Sequence, residues 1–333
     1  MSVPVIAFFN NKGGIGKTTL VFHVAHMLSE QGFRVVAADM DPQGNLSAAF
    51  LTEQRLEDLW PEDTSVATIY GAVEPIKSGT GDIGDPLLER INDNLVLIPG
   101  DMELSSFEDD LSQTWPKCQD RDPRAFRVIS AFWRVLQKGA ANHQANVVLI
   151  DVGPNLGAIN RAALISADHV VMPLGPDLFS IQGLRNLGPR LRTWREGWQE
   201  RAPKNPIAGL SLPKGSMSPL GYIVMQHSER RKYPVMSYRK WIARIPSAYR
   251  EYVVDAPEMA KQVVESDNEC LARLKHYRSL MPMAQEAGKP IFSLKSADGA
   301  LGSQVVAVRD AYQDFKTLAL KIVSRAGIAR RDR

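Results

Sequence analysis

Lys12 and Lys17 bracket three glycines and are followed by two hydroxyl residues, in the run Lys12-Gly13-Gly14-Ile15-Gly16-Lys17-Thr18-Thr19. Glycines let backbone N–H groups turn inward and approach an anion closely. Ammonium groups neutralise its charge, and a hydroxyl after a lysine is a common ligand for phosphate-bound magnesium. This chemistry suits a nucleoside triphosphate, ATP with Mg²⁺. On that reading the backbone of Gly13, Gly14, Ile15 and Gly16 cradles the phosphates. Lys17 reaches the β- and γ-phosphates, Thr18 ligates Mg²⁺ and Thr19 contacts the α-phosphate. The ordinary phosphate-loop spacing would put a first glycine at position 11, which is Asn11. The loop therefore departs from the common version and carries an additional lysine, Lys12. The competing reading is a glycine-rich turn that binds nothing.

Two acidic segments suit the same site. Asp39-Met40-Asp41-Pro42-Gln43-Gly44-Asn45 follows an apolar run, and Val147-Val148-Leu149-Ile150-Asp151 is an apolar run ending in an acid. Asp151 is expected to hold Mg²⁺, and Asp39 to support the metal and its own loop. Asp41 is suited to orienting a water, and a turn role before Pro42 is its alternative.

These residues must be positioned by strands that end where helices begin. Apolar β-rich runs at 5–9, 34–38, 94–98, 147–151, 169–174, 220–226 and 290–294 read as strands. Several are continuous enough to be buried on both faces of a parallel sheet. Between them lie helix-periodic segments such as 18–31, where Val21, Val24, Ala25 and Leu28 recur and Gly32 is a C-cap candidate. The pattern predicts an α/β fold: a doubly wound, mostly parallel sheet of about seven strands with helices on both faces. Residues 1–333 read as a single domain. Two stretches, 112–145 and 227–287, fit the alternation poorly and read as helical insertions.

The composition is that of a globular protein, with 44% hydrophobic and 23% charged residues. No apolar run is long enough to span a bilayer, and no signal peptide is read, so the expected location is cytoplasmic. Two cysteines, Cys118 and Cys270, exclude a disulfide framework and argue against an iron–sulfur cluster. The net charge of +3 is unevenly spread: residues 1–150 carry a net −8 and residues 151–333 a net +11. A basic half suits an anionic partner, and solvated helix faces are the plain alternative.

The lysine-bracketed loop resembles the deviant Walker A motif of the ParA/MinD ATPases, and the chain looks closest to the ParA partition ATPases. The Asp39–Asn45 segment resembles that family's Asp-x-Asp-Pro-Gln-Gly-Asn signature, and Asp151-Val152-Gly153-Pro154-Asn155-Leu156-Gly157 its switch II, with Gly153 in place of the first of two prolines. The likeness continues through 167–174 and resumes at Glu286-Ala287-Gly288-Lys289-Pro290-Ile291. It implies that Lys12 reaches across a nucleotide-sandwich homodimer to the partner's phosphates, and that Asp41 belongs to switch I. A glycine at 153 can bring its N–H to the γ-phosphate, and the resemblance implies that Met225 and Gln226 lie where the adenine is contacted. The function implied is an ATPase switch in plasmid or chromosome partition, with nonspecific DNA binding and an activating partner of the ParB kind.

Candidate DNA-contacting residues are Arg185, Arg190, Arg192 and Arg195, then Arg230, Arg231 and Lys232, and the C-terminal Lys321, Arg325, Arg330, Arg331 and Arg333. A MinD-like positioning ATPase and a metabolic enzyme on the same scaffold are the alternatives. Against a membrane role, Val308, Tyr312, Phe315, Ala319 and Ile322 form a face expected to pack on the sheet. In the tail 326–333 Ile328 is the one bulky apolar residue. Trp194, Trp198 and Trp241 read as core anchors, and His23 and His26 as packing residues.

Overall fold

The continuous apolar runs become the centre of an eight-stranded sheet in a computed structural model, which describes residues 2–60, 68–225, 240–256, 263–277 and 279–330. The strands are β1 (Val5–Phe8), β2 (Val35–Asp39), β3 (Glu89–Asn92), β4 (Leu95–Ile98), β5 (Val147–Asp151), β6 (His169–Leu174), β7 (Ser218–Met225) and β8 (Cys270–Leu274). Their order across the sheet is β3-β4-β2-β5-β1-β6-β7-β8. All neighbours run parallel except β3 with β4. Side chains alternate between two cores. Val5 and Ala7 face one, and Ile6 and Phe8 face the other.

One face is covered by α1 (Lys17–Glu30) and by two late helices, Leu280–Ala287 and Ser303–Arg325. The other is covered largely by five helices in chain order, α2 (Ile69–Ser78), α3 (Glu108–Lys117), α4 (Ala131–Asn142), α5 (Ala158–Ile165) and α6 (Leu178–Arg201). The strand order reverses around β1, so the crevice past the carboxyl ends of β1, β5 and β6 is where this architecture places ligands.

Two sequence expectations are corrected. Residues 290–294 form no strand. They make a 3₁₀ turn, Ile291–Ser293, whose apolar residues cover α1. Pro290 lacks the N–H that a strand ladder needs. In the stretch 227–287 the structure places β8 and not only helix. β8 and β3 escape sequence reading because both lie at the sheet's edges. β3 alternates half-buried and exposed residues and carries Glu89 and Arg90, while β8 is largely buried but its short apolar run is broken by Arg273. The stretch 112–145 is helical, and it buries Phe126, Val128, Phe132 and Leu136 against the sheet.

Candidate nucleotide site

β1 hands over to α1 through residues 9–16. Asn10 braces the entry: its Nδ2 donates to the Pro173 carbonyl (2.7 Å), and its Oδ1 accepts from the Lys12 N–H (2.9 Å). Ile15, 2% exposed, anchors the loop in the core. Gly14 and Gly16 take left-handed backbone angles, φ 71° and 85°, which favour glycine. A side chain at Gly13 would meet nothing within 4 Å, so no neighbour in the protein demands the glycine there; its bare backbone is open to solvent.

The loop ends on an uncapped helix terminus. α1 begins with no side-chain cap and no acidic residue in its first turn. Its free N–H groups and the positive end of its dipole are available to an anion. Lys17 is buried, with its Nζ donating to the Lys12 carbonyl (3.1 Å). Burial lowers its pKa, against the opposing pull of Asp151 and Asp41. A buried ammonium with no direct carboxylate partner suits a phosphate.

The acids converge on the same point. Asp39 and Asp151 are register partners at the ends of β2 and β5. The Thr18 hydroxyl donates to Asp151 Oδ2 (2.5 Å), while Asp151 Oδ1 is buried without a partner. Burial, aided by the neighbouring Asp39, pushes the Asp151 carboxyl up to about 8. Asp39 is fully buried, and burial raises it to about 6 although Ser47 stabilises its charge. Its Oδ2 accepts from both the Ser47 N–H and the Ser47 hydroxyl (2.8 Å each), and its Oδ1 from the Asp41 N–H (3.2 Å). Asp39 is thus spent on holding the Asp41 loop. Asp41 Oδ1 accepts from the Gln43 N–H (3.1 Å). A Cβ at Gly153 would come within 3.1 Å of Asp41 Oδ1, so glycine makes room for that carboxylate.

This donor set fits a magnesium ion bound with phosphates. Among the described residues no group of three or more His, Cys, Asp or Glu could hold a metal by itself. Mg²⁺ is usually held by one or two protein oxygens together with phosphates and waters. Thr18 and the unpartnered oxygen of Asp151 supply those oxygens.

Lys12 points elsewhere. Its Nζ donates to Asp177 Oδ2 (2.6 Å) and lies 5.7 Å from the Phe179 ring centroid. Burial would raise the Asp177 carboxyl, but Lys12 and the Ser180 N–H outweigh it and leave it low. Sequence reasoning missed Asp177, although an Asp three residues before Ser180 at a helix start is a capping signal. It also missed Ser47, Glu108 and Asn160, whose roles come from distant packing.

Thr19 and Gly16 border an apolar cleft with Met225, Leu274, Tyr277 and Ile291. His23 also lines it. Its Nδ1–H donates to the Thr19 carbonyl (2.6 Å), and its Nε2 accepts from the Ile291 N–H (3.1 Å). Gln226 lies outside the described residues.

The basic candidates separate into spent and free. Arg192 donates to the Tyr252 carbonyl (2.7 Å) and Arg195 to those of Ser216 and Met217 (2.6 and 2.8 Å). Lys321 donates to the Cys270 carbonyl (2.7 Å), Arg325 bonds the Leu220 and Asn268 carbonyls, and Arg330 sits over Phe33. Arg185 and Arg190 are exposed on α6. Arg230, Arg231, Lys232, Arg331 and Arg333 lie outside the described residues. Phe315, Ala319 and Ile322 are buried on the sheet, and Trp194 and Trp198 are core residues. Trp241 lies beside Lys240 and Arg244. Among the described residues no helix is long and apolar enough to cross a membrane.

Comparison with known proteins adds a family. A model described as an AAA domain matches residues 3–201. The chain is 33% identical over 187 residues to a putative replication protein A of Rhizobium rhizogenes, covering 55% of this chain but 42% of that protein. It is 31% identical over 211 residues to the chromosome partitioning protein ParA of Caulobacter vibrioides, covering 62% of this chain and 68% of that one. A putative plasmid partition protein from Borrelia burgdorferi, solved with AMPPNP, shares the fold. Its TM-score is 0.58 at 16% identity, over 97% of this chain and 99% of that one.

Proposed function

This chain belongs to the AAA-domain family of ParA-like P-loop ATPases, and on that premise we propose that it is an ATP-driven dimerising switch serving DNA partition. The observation that carries this reading is the meeting, at one loop, of an uncapped helix N-terminus, the buried Lys17 and an Asp151 oxygen that lacks a partner. The partition role is supported by the likeness to the Caulobacter protein.

In this reading the N–H groups of 13–16 and the start of α1 bind the phosphates, and Lys17 neutralises the β- and γ-groups. Thr18 and Asp151 hold Mg²⁺, which supplies further charge neutralisation when bound. Asp41, held by Asp39, orients the attacking water and accepts its proton. Met225 lines the cleft beside Thr19 that receives the adenine. Lys12 leaves Asp177 and reaches the phosphates of a second copy, so ATP binding is tied to dimerisation. Leu178 and Phe179, 43% and 69% exposed beside Lys12, supply apolar surface for that contact. Hydrolysis is slow until an activating protein completes the site. Of the candidate arginines among the described residues, the exposed Arg185 and Arg190 are left to meet DNA phosphates. The chain acts as one domain in the cytoplasm.

The test is DNA binding with ATP, with ADP and without nucleotide, at two salt concentrations. Binding that needs ATP and falls steeply with salt is expected. Equal binding in all three nucleotide states, or none in any, rejects the partition reading.

A further inference from the structure

The loop 152–157, between β5 and α5, borders the site through Gly153, and its shape is set by side chains. Asn160, one turn into α5, donates from Nδ2 to two of its carbonyls, Gly153 (2.8 Å) and Asn155 (2.7 Å). Asn155 Oδ1 accepts from the Gly157 N–H (3.0 Å). The N-cap of α5, Gly157, has no side chain, so Glu108 of α3 does the capping. Its carboxylate accepts from the Ala158 and Ile159 N–H groups (2.5 and 2.8 Å).

Asn160 is 0% exposed, and its Oδ1 is buried without a partner. Both groups facing its Nδ2 are carbonyls, so only the NH₂ end of the amide can meet them, and the orientation follows from the partners. An unpartnered buried acceptor is destabilising and needs a reason to persist. Gly153 provides one. Position 153 is kept bare for Asp41, and glycine leaves the backbone free to turn just where the loop borders the carboxylate. Asn160 removes that freedom by holding the carbonyl.

We propose that Asn160 is the positioning residue for ATP hydrolysis: by gripping the Gly153 and Asn155 carbonyls, it sets the loop facing Asp41 in its working shape. Asn160 acts through the Gly153 and Asn155 carbonyls and not on the reacting atoms. This inference rests on the ATPase reading above.

Two variants test it. Asn160→Leu keeps similar bulk and removes both donors. Asn160→Asp keeps the shape and leaves one donor while protonated. Each is measured by single-turnover ATP hydrolysis and by the Kd of a fluorescent ADP analogue, with Tm recorded. In Asn160→Leu, hydrolysis is expected to slow about 10- to 100-fold, the scale of a misplaced reacting group. The Kd should stay within about twofold, because ADP is held by the other loop. In Asn160→Asp the buried carboxyl next to two carbonyl oxygens has a raised pKa. Its rate relative to wild type should therefore fall as pH rises and the last donor is lost.

Wild-type hydrolysis by Asn160→Leu overturns the proposal, as does an equal loss of hydrolysis and ADP affinity. If Asn160→Leu does not fold, Asn160→Asp decides, and a rate ratio independent of pH is then the overturning result. Absence of hydrolysis by the wild-type chain overturns the ATPase reading itself, and this inference with it.

Discussion

Replacing Asp177 with Asn should make the ATP-dependent dimer form more readily. The Lys12 ammonium is held by Asp177 at 2.6 Å, with both side chains about one-third exposed (33% and 36%). If Lys12 must reach a second copy, this pair breaks first. A partly exposed ion pair contributes about 0.2–1 kcal/mol. Two such pairs break when a symmetric dimer forms, so the latch weakens dimerisation by about 0.4–2 kcal/mol, or roughly 2- to 30-fold in the association constant. Asn is the informative substitution because Asp177 also caps α6 through the Ser180 N–H (2.9 Å). Asn serves that position about as well as Asp, so the fold should be unaffected. Sedimentation equilibrium with AMPPNP reads the dimer constant directly. The gap between variant and wild type should narrow as salt rises, because the pair is screened. A variant dimer that is unchanged or weaker refutes the argument. A weaker one would mean that Asp177 serves the dimer itself.

Lys17→Ala should abolish nucleotide binding, measured by calorimetry with MgATP, since it removes the buried ammonium beneath the phosphates. Lys12→Ala should still bind ATP yet lose the ATP-dependent dimer in the same sedimentation assay. Asp41→Ala should retain that dimer and accumulate it, because hydrolysis stops; phosphate release measures this directly. His23 predicts a pH response. Burial, against its bond to Thr19, lowers its pKa to about 4, so it folds neutral, whereas the unfolded chain takes up a proton below about 6.5. Stability from this group is therefore present above pH 6.5 and lost as pH falls toward 4, on the order of 3 kcal/mol in total. In His23→Leu the Tm should lose part of that acid slope between pH 6.5 and 4.

How much of this was legible in the sequence depends on whether the signal was contiguous. The central strands β1, β2, β5 and β6 are buried on both faces, so their sequences are unbroken apolar runs. The edge strand β3 is half-exposed and charged, and β8 is a short buried run broken by Arg273, so neither stands out as a strand. Residues 290–294 look like a strand because a turn that covers α1 needs the same apolar side chains. The phosphate loop and the acid ending β5 lie within short runs, so their spacing shows. Asn160 and Glu108 do not show. Each is an ordinary helical polar residue until folding brings it to the loop 152–157. Charge misled in the other direction. Arg192, Arg195, Lys321 and Arg325 counted toward a basic surface, yet all four are occupied by backbone carbonyls. Composition cannot distinguish a spent guanidinium from a free one.

The site divides into parts that cannot move and parts that can. Asp39 and Asp151 end adjacent strands in register, and Phe8 pairs with Asp151 across the next ladder. Shifting these acids relative to one another would break sheet hydrogen bonds, so the metal-binding edge is fixed by the fold. The loops around it are held by side chains: Lys12 by Asp177, residues 153–155 by Asn160, and the Asp41 loop by Asp39 and Ser47. Such contacts break and re-form one at a time at small cost, unlike a strand ladder. A nucleotide can therefore rearrange the loops while the sheet holds it in place. It follows that substitutions at the strand ends should cost stability and nucleotide affinity together. Substitutions at Asp177 or Asn160 should instead leave affinity intact and change what binding triggers.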